Sequence, residues 1–116
     1  KYPKLAVISN CGYPEQTHFQ VLSLLFARLA RNMHSEVIAE IYRAAGPLFE
    51  IKMPIVEPLL GEYKQLLRRA GREVVEHGRL SDATRVELDK PLVPADVYRE
   101  QSNQGWDRAL ARIGGA

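Results

Sequence analysis

The feature that most constrains this chain is how few strands it can form. Residues 5–8 make a short, continuous apolar run, which is typical of a strand buried on both faces of a parallel sheet. A second strand is predicted over residues 35–43, where Val37, Ile38, Ile41 and Tyr42 favour extended structure. Two parallel strands rarely make a stable sheet alone, since three or more are normally needed. We therefore expect the sheet to continue, either in preceding residues of a longer protein or in another chain.

The segment between the two strands predicts an amphipathic helix. Its apolar residues recur at intervals of three and four, which places them on one face; they are Phe19, Leu22, Leu25, Phe26, Leu29 and Met33. Pro14 and Glu15 suit the approach to this helix, and Thr17 with Gln20 has the spacing of a capping box. The order strand, helix, strand predicts a βαβ unit with a right-handed crossover.

Three further helices are predicted in the rest of the chain. The longest spans residues 56–77 and ends at Gly78, a plausible C-cap. Gly71 lies inside it at a cost of about 1 kcal/mol relative to alanine, so we expect a closely packed neighbour there. Ser81 can cap a short helix through Leu88, and a last helix begins around Pro94.

Composition and charge exclude several classes of protein. The net charge of +2 favours neither nucleic acid nor an anionic membrane as partner. The single cysteine rules out an internal disulfide and a cysteine-based metal site, and no histidine pair has metal-ligand spacing, so we predict no metal. No apolar run approaches the roughly 18 residues of a membrane-spanning helix. We expect a cytoplasmic protein.

The turn "SNCGYPE", residues 9–15, is the best candidate for a binding site. It follows the first strand, and ligands of open parallel sheets bind outside the carboxyl ends of the strands. Gly12 allows a close approach of the backbone, Tyr13 offers a ring for stacking, and the helix start supplies free N–H groups. These properties predict a cradle for a planar, partly anionic ring system.

At these residues the chain resembles a known family. "ISNCGYPEQTHF", followed by an amphipathic helix and "EVIAEIYRAAG", resembles the C-terminal half of flavodoxin-like NAD(P)H-dependent oxidoreductases, in the FMN reductase and iron–sulfur flavoprotein branch. The tail "PLVPADVYREQSNQGW" is similar to the end of such proteins. The resemblance implies an α/β fold, the C-terminal part of a flavodoxin-like doubly wound parallel sheet. Residues 1–116 would then be half of a single domain and a fragment of a longer chain.

The family resemblance also implies a function. In that family FMN lies at the carboxyl edge of the sheet, and hydride passes from NAD(P)H to the flavin and on to a small-molecule electron acceptor. The residues that match the loop in contact with the flavin ring are Ser9, Asn10, Cys11, Gly12 and Tyr13, with Glu15 and His18 at the site edge. We expect part of an FMN-dependent oxidoreductase that forms a homo-oligomer. The Ser/Thr-rich phosphate loop and the iron–sulfur cysteines of the family have no match here, so we expect this chain alone to be inactive.

Two other functions remain open at this point. The missing phosphate loop and the low strand count favour a non-enzymatic α/β scaffold or dimerisation module. A cysteine hydrolase would use Cys11 with His18 and Glu15. Against it, Thr17 stands where a phosphatase loop needs arginine, and Ser9 stands where a nucleophile elbow needs its first glycine.

Other polar and aromatic residues are predicted to be structural. His34 and His77 lie near helix ends, where histidine complements the helix dipole. Four basic residues predict a solvated face of the long helix: Lys64, Arg68, Arg69 and Arg72. Tyr98 and Trp106 are expected to anchor the last helix to the core or to a neighbouring subunit.

Overall fold

The computed structural model describes residues 2–115 as an α/β unit with a two-stranded parallel sheet and four α-helices. In chain order the elements are β1 (Leu5–Asn10), α1 (Gln20–Asn32), β2 (Val37–Arg43), α2 (Glu57–His77), α3 (Asp82–Asp89) and α4 (Ala95–Gly114). Short 3₁₀ helices at Gln16–Phe19 and Gly46–Glu50 follow the two strands. The predicted order of strand, helix, strand and three further helices is confirmed.

The two strands pair in parallel with one irregularity. Leu5 is paired with Val37 but Ala6 with Ala39, so β2 carries one extra residue, Ile38. The carbonyl of Ile38 accepts a hydrogen bond of 2.8 Å from the amide of Leu80, outside the sheet. This bulge therefore ties β2 to the segment that precedes α3.

The core forms on both faces of β2. Helix α1 covers one face, where the buried residues are Val7, Phe19, Tyr42 and Ala44. Helices α2 and α3 cover the other face, where the buried residues are Ala39, Ile41, Tyr63, Ala70, Leu80 and Leu88. A third cluster joins the loop after β2 to the start of α2 and consists of Ala45, Leu48, Val56 and Leu60. Strand β2 is therefore the centre of the hydrophobic core.

Strand β1 is not buried on both faces, and that prediction is wrong. Val7 is buried under α1, whereas the side chain of Ile8, on the opposite face, is 76 % exposed. The reason is that α2 and α3 pack over β2 and leave β1 uncovered on their side of the sheet. The apolar run of β1 indicated burial that the described residues supply on one face alone.

The start of α1 also differs from the prediction. Residues 16–19 form a 3₁₀ turn, and no side chain caps either this turn or α1 itself. The capping box of Thr17 and Gln20 is therefore absent. The side chain of the preceding residue, Gln16, hydrogen-bonds to Tyr42 and Ala44, at the end of β2, and not to the helix.

The ends of α2 and α3 follow the sequence signals closely. Gly78 has φ of +74°, the left-handed conformation expected of a glycine C-cap, and its amide donates to the carbonyl of Val74. The hydroxyl of Ser81 accepts from the amide of Thr84, as predicted for an N-cap. The closely packed neighbour predicted at Gly71 is not found in the described chain, because a Cβ at that position would meet nothing within 4 Å.

Helix α4 is attached to the rest of the molecule near its N-terminus. None of its residues is buried, and the molecule measures 60 × 31 × 20 Å. Tyr98 packs on the third cluster, as expected, whereas Trp106 is 70 % exposed and does not anchor the helix to the core. Within residues 2–115, no helix combines the length and apolar character needed to cross a bilayer.

Candidate functional site

The turn after β1 is held against the loop after β2 by three backbone hydrogen bonds. The amide of Cys11 donates to Arg43 at 3.1 Å, and the carbonyl of Cys11 accepts from Gly46 at 2.8 Å. The carbonyl of Tyr13 accepts from the amide of Ala45 at 2.7 Å. The two carboxyl ends of the sheet therefore form one connected surface, as the parallel topology predicts.

Two residues of the loop after β2 have unusual backbone requirements. Ala45 has φ of +55°, a left-handed conformation that costs a non-glycine residue about 1–2 kcal/mol. A Cβ on Gly46 would lie 2.8 Å from the side-chain oxygen of Asn10 and 3.2 Å from the carbonyl of Cys11. A Cβ there would require the exposed side chain of Asn10 to rotate away and the carbonyl of Cys11 to shift by a few tenths of an ångström.

Helix α4 completes the surface. The hydroxyl of Tyr98 donates to the carbonyl of Gly12 at 3.0 Å, and the guanidinium of Arg99 forms an ion pair with Glu15. This hydrogen bond from Arg99 holds the pKa of the Glu15 carboxyl below its ordinary value. Glu15 also lies 3.5 Å from the imidazole of His18. The turn is therefore joined to a helix that begins more than 80 residues later.

A groove of about 790 Å³ runs between the turn and α4. Its wall on the turn side is made by Gly12, Tyr13, Pro14 and Glu15, and its wall on α4 includes Tyr98, Arg99, Ser102, Asn103 and Trp106. Tyr13 is 64 % exposed, and its ring contacts that of His18 with a centroid separation of 4.7 Å. Pockets that hold small molecules have volumes of this order and combine aromatic surface with a few polar groups. We call this cleft the turn–α4 groove.

The predicted site residues divide between this groove and other places. Gly12, Tyr13 and Glu15 line the groove together. Asn10 instead lines a separate cavity of about 450 Å³ on the α2 side of the sheet, which Gly12 also reaches. Ser9 is half-buried in β1 and lines neither of these cavities. The structure brings three of the seven predicted residues together with α4.

The cavity on the α2 side is lined by a buried arginine side chain that has a structural role. Arg43 is 5 % exposed, and its guanidinium donates to the carbonyls of Ala44, Leu88 and Lys90. The same group lies 5.1 Å from the centre of the Tyr63 ring. These contacts hold β2 against the segment after α3, so Arg43 serves packing rather than ligand binding.

Cys11 has the geometry of a packed residue. Its thiol is half-buried, lies 3.5 Å from the carbonyl of Tyr13 and packs beside the cluster under α1. Glu15 and His18 contact each other, but neither makes a hydrogen bond to the thiol in the described chain. A nucleophile needs a base within hydrogen-bonding reach. The arrangement therefore does not support a cysteine hydrolase.

One polar side chain near the site, that of Gln16, makes three hydrogen bonds that the sequence did not predict. The amide nitrogen of Gln16 donates to the carbonyl of Tyr42 at 2.6 Å and to Asp89 at 3.2 Å. Its oxygen accepts from the amide of Ala44 at 3.0 Å. This pattern mimics one residue of a neighbouring strand, and no local signal marks it because all three partners are distant in sequence.

Charged groups outside the turn are arranged as a solvated surface. The four basic residues predicted on one face of α2 are exposed, and Arg69 pairs with Glu73 and Glu87. A cavity of about 540 Å³ between α2 and the end of α3 carries both acidic and basic side chains, so its charges largely offset one another. Among residues 2–115 no group of three or more His, Cys, Asp or Glu side chains could hold a metal ion.

Comparison with known proteins identifies no relative. No model of a protein family matches the chain, and no curated protein or solved structure gives a significant match.

Proposed function

We propose that this chain supplies the ring-binding side of an FMN-dependent NAD(P)H:acceptor oxidoreductase of flavodoxin-like fold. The observation that carries the proposal is the turn–α4 groove, which lies at the carboxyl ends of two parallel strands and is flanked by Tyr13 and Trp106. Both aromatic side chains are largely exposed, so their rings are accessible to a planar ligand. Offset stacking on such rings adds about 0.5–1.5 kcal/mol per contact to the burial of apolar area.

The groove fits the isoalloxazine ring better than it fits the phosphate of FMN. Its basic side chain, Arg99, is already paired with Glu15, and the turn has no run of glycines to present backbone amides to an anion. Gly12 and Tyr13 would contact the ring from one side and Trp106 from the other. The phosphate would then be held by residues beyond this part of the chain.

In this proposal the protein residues position and shield the ring, while the bound flavin accepts hydride from NAD(P)H. His18 contacts the ring of Tyr13 and covers part of it. Tyr98 donates to the carbonyl of Gly12, and burial raises the pKa of its phenol, so the hydroxyl stays protonated and the turn stays in place. The role of α4 is to keep water from one side of the groove.

Flavin titration tests this proposal. The purified chain is added to riboflavin and to FMN, and quenching of flavin fluorescence reports stacking. We expect saturable binding with similar affinity for both, because the groove offers no phosphate site. Tyr13→Ala should weaken binding about five- to tenfold, which corresponds to the loss of about 1–1.4 kcal/mol of stacking.

Matched controls make the result interpretable. Tyr2 is also an exposed tyrosine but lies outside the groove, so Tyr2→Ala should leave flavin affinity unchanged. Failure of both flavins to bind would refute the proposal. Binding of FMN more than tenfold tighter than riboflavin would instead refute the assignment of the phosphate site to residues elsewhere.

The alternative function is a non-enzymatic α/β scaffold or dimerisation module, and one observation favours it. Within residues 2–115, one face of strand β1 is uncovered, with Ile8 exposed, and one edge of the strand has no paired neighbour. The scaffold or dimerisation function is supported if the chain binds neither riboflavin nor FMN and forms an oligomer of fixed size.

A further inference from the structure

One edge of the two-stranded sheet is open. The amides of Leu5 and Cys11 donate to Glu36 and Arg43, next to and at the end of β2. Since alternate residues of a strand face the same neighbour, the amides and carbonyls of Ala6, Ile8 and Asn10 point away from β2. In the part of the chain that the structure describes, no strand pairs with this side of β1.

The opposite edge of the sheet, on β2, is covered near both of its ends by other parts of the chain. Leu80 donates to the carbonyl of Ile38, and the side chain of Gln16 bonds to Tyr42 and Ala44. Proteins protect exposed strand edges with charged residues, proline or covering segments. Strand β1, with the sequence LAVISN, has neither charge nor proline. The open edge therefore has the character of an interface and not of a protected boundary.

Apolar side chains border the open edge on both faces of the sheet. On the α2 side, Ile8 is 76 % exposed next to the cavity lined by Phe49 and Leu67. On the other side, α1 carries an exposed stripe at intervals of four residues, which consists of Val21, Leu25 and Leu29. Ser23, on the opposite flank of α1, donates to Glu40 of β2, so the stripe faces away from β2.

We propose that a second copy of this chain occupies the open edge, with the two β1 strands antiparallel across a two-fold axis at Ile8. This arrangement leaves no place for a further parallel strand of the same domain at β1, so it rests on the scaffold or dimerisation function and excludes the flavodoxin-like sheet. The three outward-facing residues are evenly spaced around Ile8, so this pairing is self-complementary. Ile8 lies opposite its counterpart, and Ala6 lies opposite Asn10 of the other copy. All outward amides and carbonyls of the three residues then find partners, in the pattern of an antiparallel ladder.

Symmetry extends the contact beyond the strands. A two-fold axis perpendicular to the sheet places both α1 helices on the same face, where the stripes of Val21, Leu25 and Leu29 meet. Stable interfaces bury about 800 Å² per partner, more than a six-residue strand edge supplies, so the α1 stripe and Ile8 are needed. The resulting four-stranded sheet has β2 at both ends. Because Leu80 and Gln16 already bond to β2 near both of its ends, a further strand cannot pair along those edges, and the assembly stops at a dimer.

Sedimentation equilibrium tests the proposal on the full chain. We expect a mass of twice 13.1 kDa at micromolar concentrations. Ile8→Lys places two like charges at the axis and should weaken the dimer about a hundredfold, the effect of roughly 2.7 kcal/mol. Val75→Lys is the matched control, because Val75 is 85 % exposed on α2 and outside the interface. Circular dichroism confirms that both variants remain folded.

Cysteine cross-linking tests the register. In a Cys11→Ser background, Ile8→Cys brings two Cα atoms to about 5.5 Å at the axis, which is within the range of a disulfide. Oxidation should give a covalent dimer, whereas Val75→Cys in the same background should not. A chain that is monomeric at 200 µM (roughly the range of weak dimers) would overturn the proposal. So would a dimer that Ile8→Lys leaves intact but Trp106→Lys dissociates, since the interface would then lie on α4.

Discussion

Removal of the Gln16 side chain should destabilise the protein through the edge of β2. Gln16→Ala deletes three hydrogen bonds and leaves the amide of Ala44 and the carbonyl of Tyr42 without their partner. Each buried group without a partner costs about 1–3 kcal/mol, and the half-buried position allows water to replace part of the loss. We therefore expect a net loss of about 2 kcal/mol. This is a large share of the roughly 5–15 kcal/mol that stabilises a small domain.

Urea unfolding followed by circular dichroism measures this loss. With an m-value of about 1.5 kcal/mol/M, the midpoint should fall by about 1.3 M without a change in m. Gln20→Ala is the matched control, because Gln20 is exposed at the start of α1 and its change should stay within about 0.5 kcal/mol. A midpoint for Gln16→Ala equal to that of Gln20→Ala would refute the inference that Gln16 closes this edge.

Gln16→Glu separates the lost donor from the lost side chain. The carboxylate can still accept from the amide of Ala44, but it cannot donate to Tyr42 and it lies beside Asp89. We expect it to be at least as destabilising as Gln16→Ala at pH 7. Part of the stability should return near pH 4, roughly where carboxyl groups begin to take up protons and can donate again. Destabilisation independent of pH would contradict this assignment of the bonds.

Three further predictions follow from the same structure. Gly46→Ala should lower stability by about 1 kcal/mol, because the side chain of Asn10 can rotate away but the new Cβ would lie 3.2 Å from the backbone carbonyl of Cys11. Gly71→Ala meets nothing within 4 Å and should raise stability by up to about 1 kcal/mol. Urea midpoints that shift in the same direction would refute the contact at Gly46. The depressed pKa of Glu15 means that its ion pair adds stability above the ordinary value of 4.5, and that this contribution is lost as the pH falls through the lowered value. The stability difference between wild type and Glu15→Gln, measured by urea unfolding at pH 7 and pH 3, should therefore shrink at the lower pH, and a constant difference would count against the pair. Ser81→Ala should cost about 1 kcal/mol through loss of the α3 N-cap, and Ser81→Asn, which can cap as well, should retain most of the stability in the same assay.

The elements of this protein could be predicted from local sequence. Gly78 and Ser81 end and begin helices as expected, since a cap depends on the residue itself and on neighbours within one turn. The position of a turn at the carboxyl edge also followed from sequence alone, because a strand, a helix and a parallel strand bring it there, but its start was placed too early, since Ser9 and Asn10 still pair with β2 as part of β1. The capping box predicted at Thr17 and Gln20 is absent, and the neighbouring Gln16 hydrogen-bonds instead to residues distant in sequence.

The exposure of one face of β1 could not be predicted from the sequence. An apolar run indicates that a strand can be covered on both faces, but it does not say whether helices lie there. Val7 is buried and Ile8 is exposed because α2 and α3 pack over β2 and not over β1. This difference depends on where α2 and α3, which follow β1 much later in the chain, pack in the folded protein.

The candidate site shows the same division between local and distant determinants. The sequence alone determined that Gly12, Tyr13 and Glu15 lie together in a turn at the carboxyl edge of a parallel sheet. The tertiary structure decided that Tyr98 and Arg99 close a groove over that turn, and that Asn10 lies in a different cavity. Backbone preference acts over a few residues, whereas a contact between Gly12 and Tyr98 spans 86 positions and exists only once the core is packed.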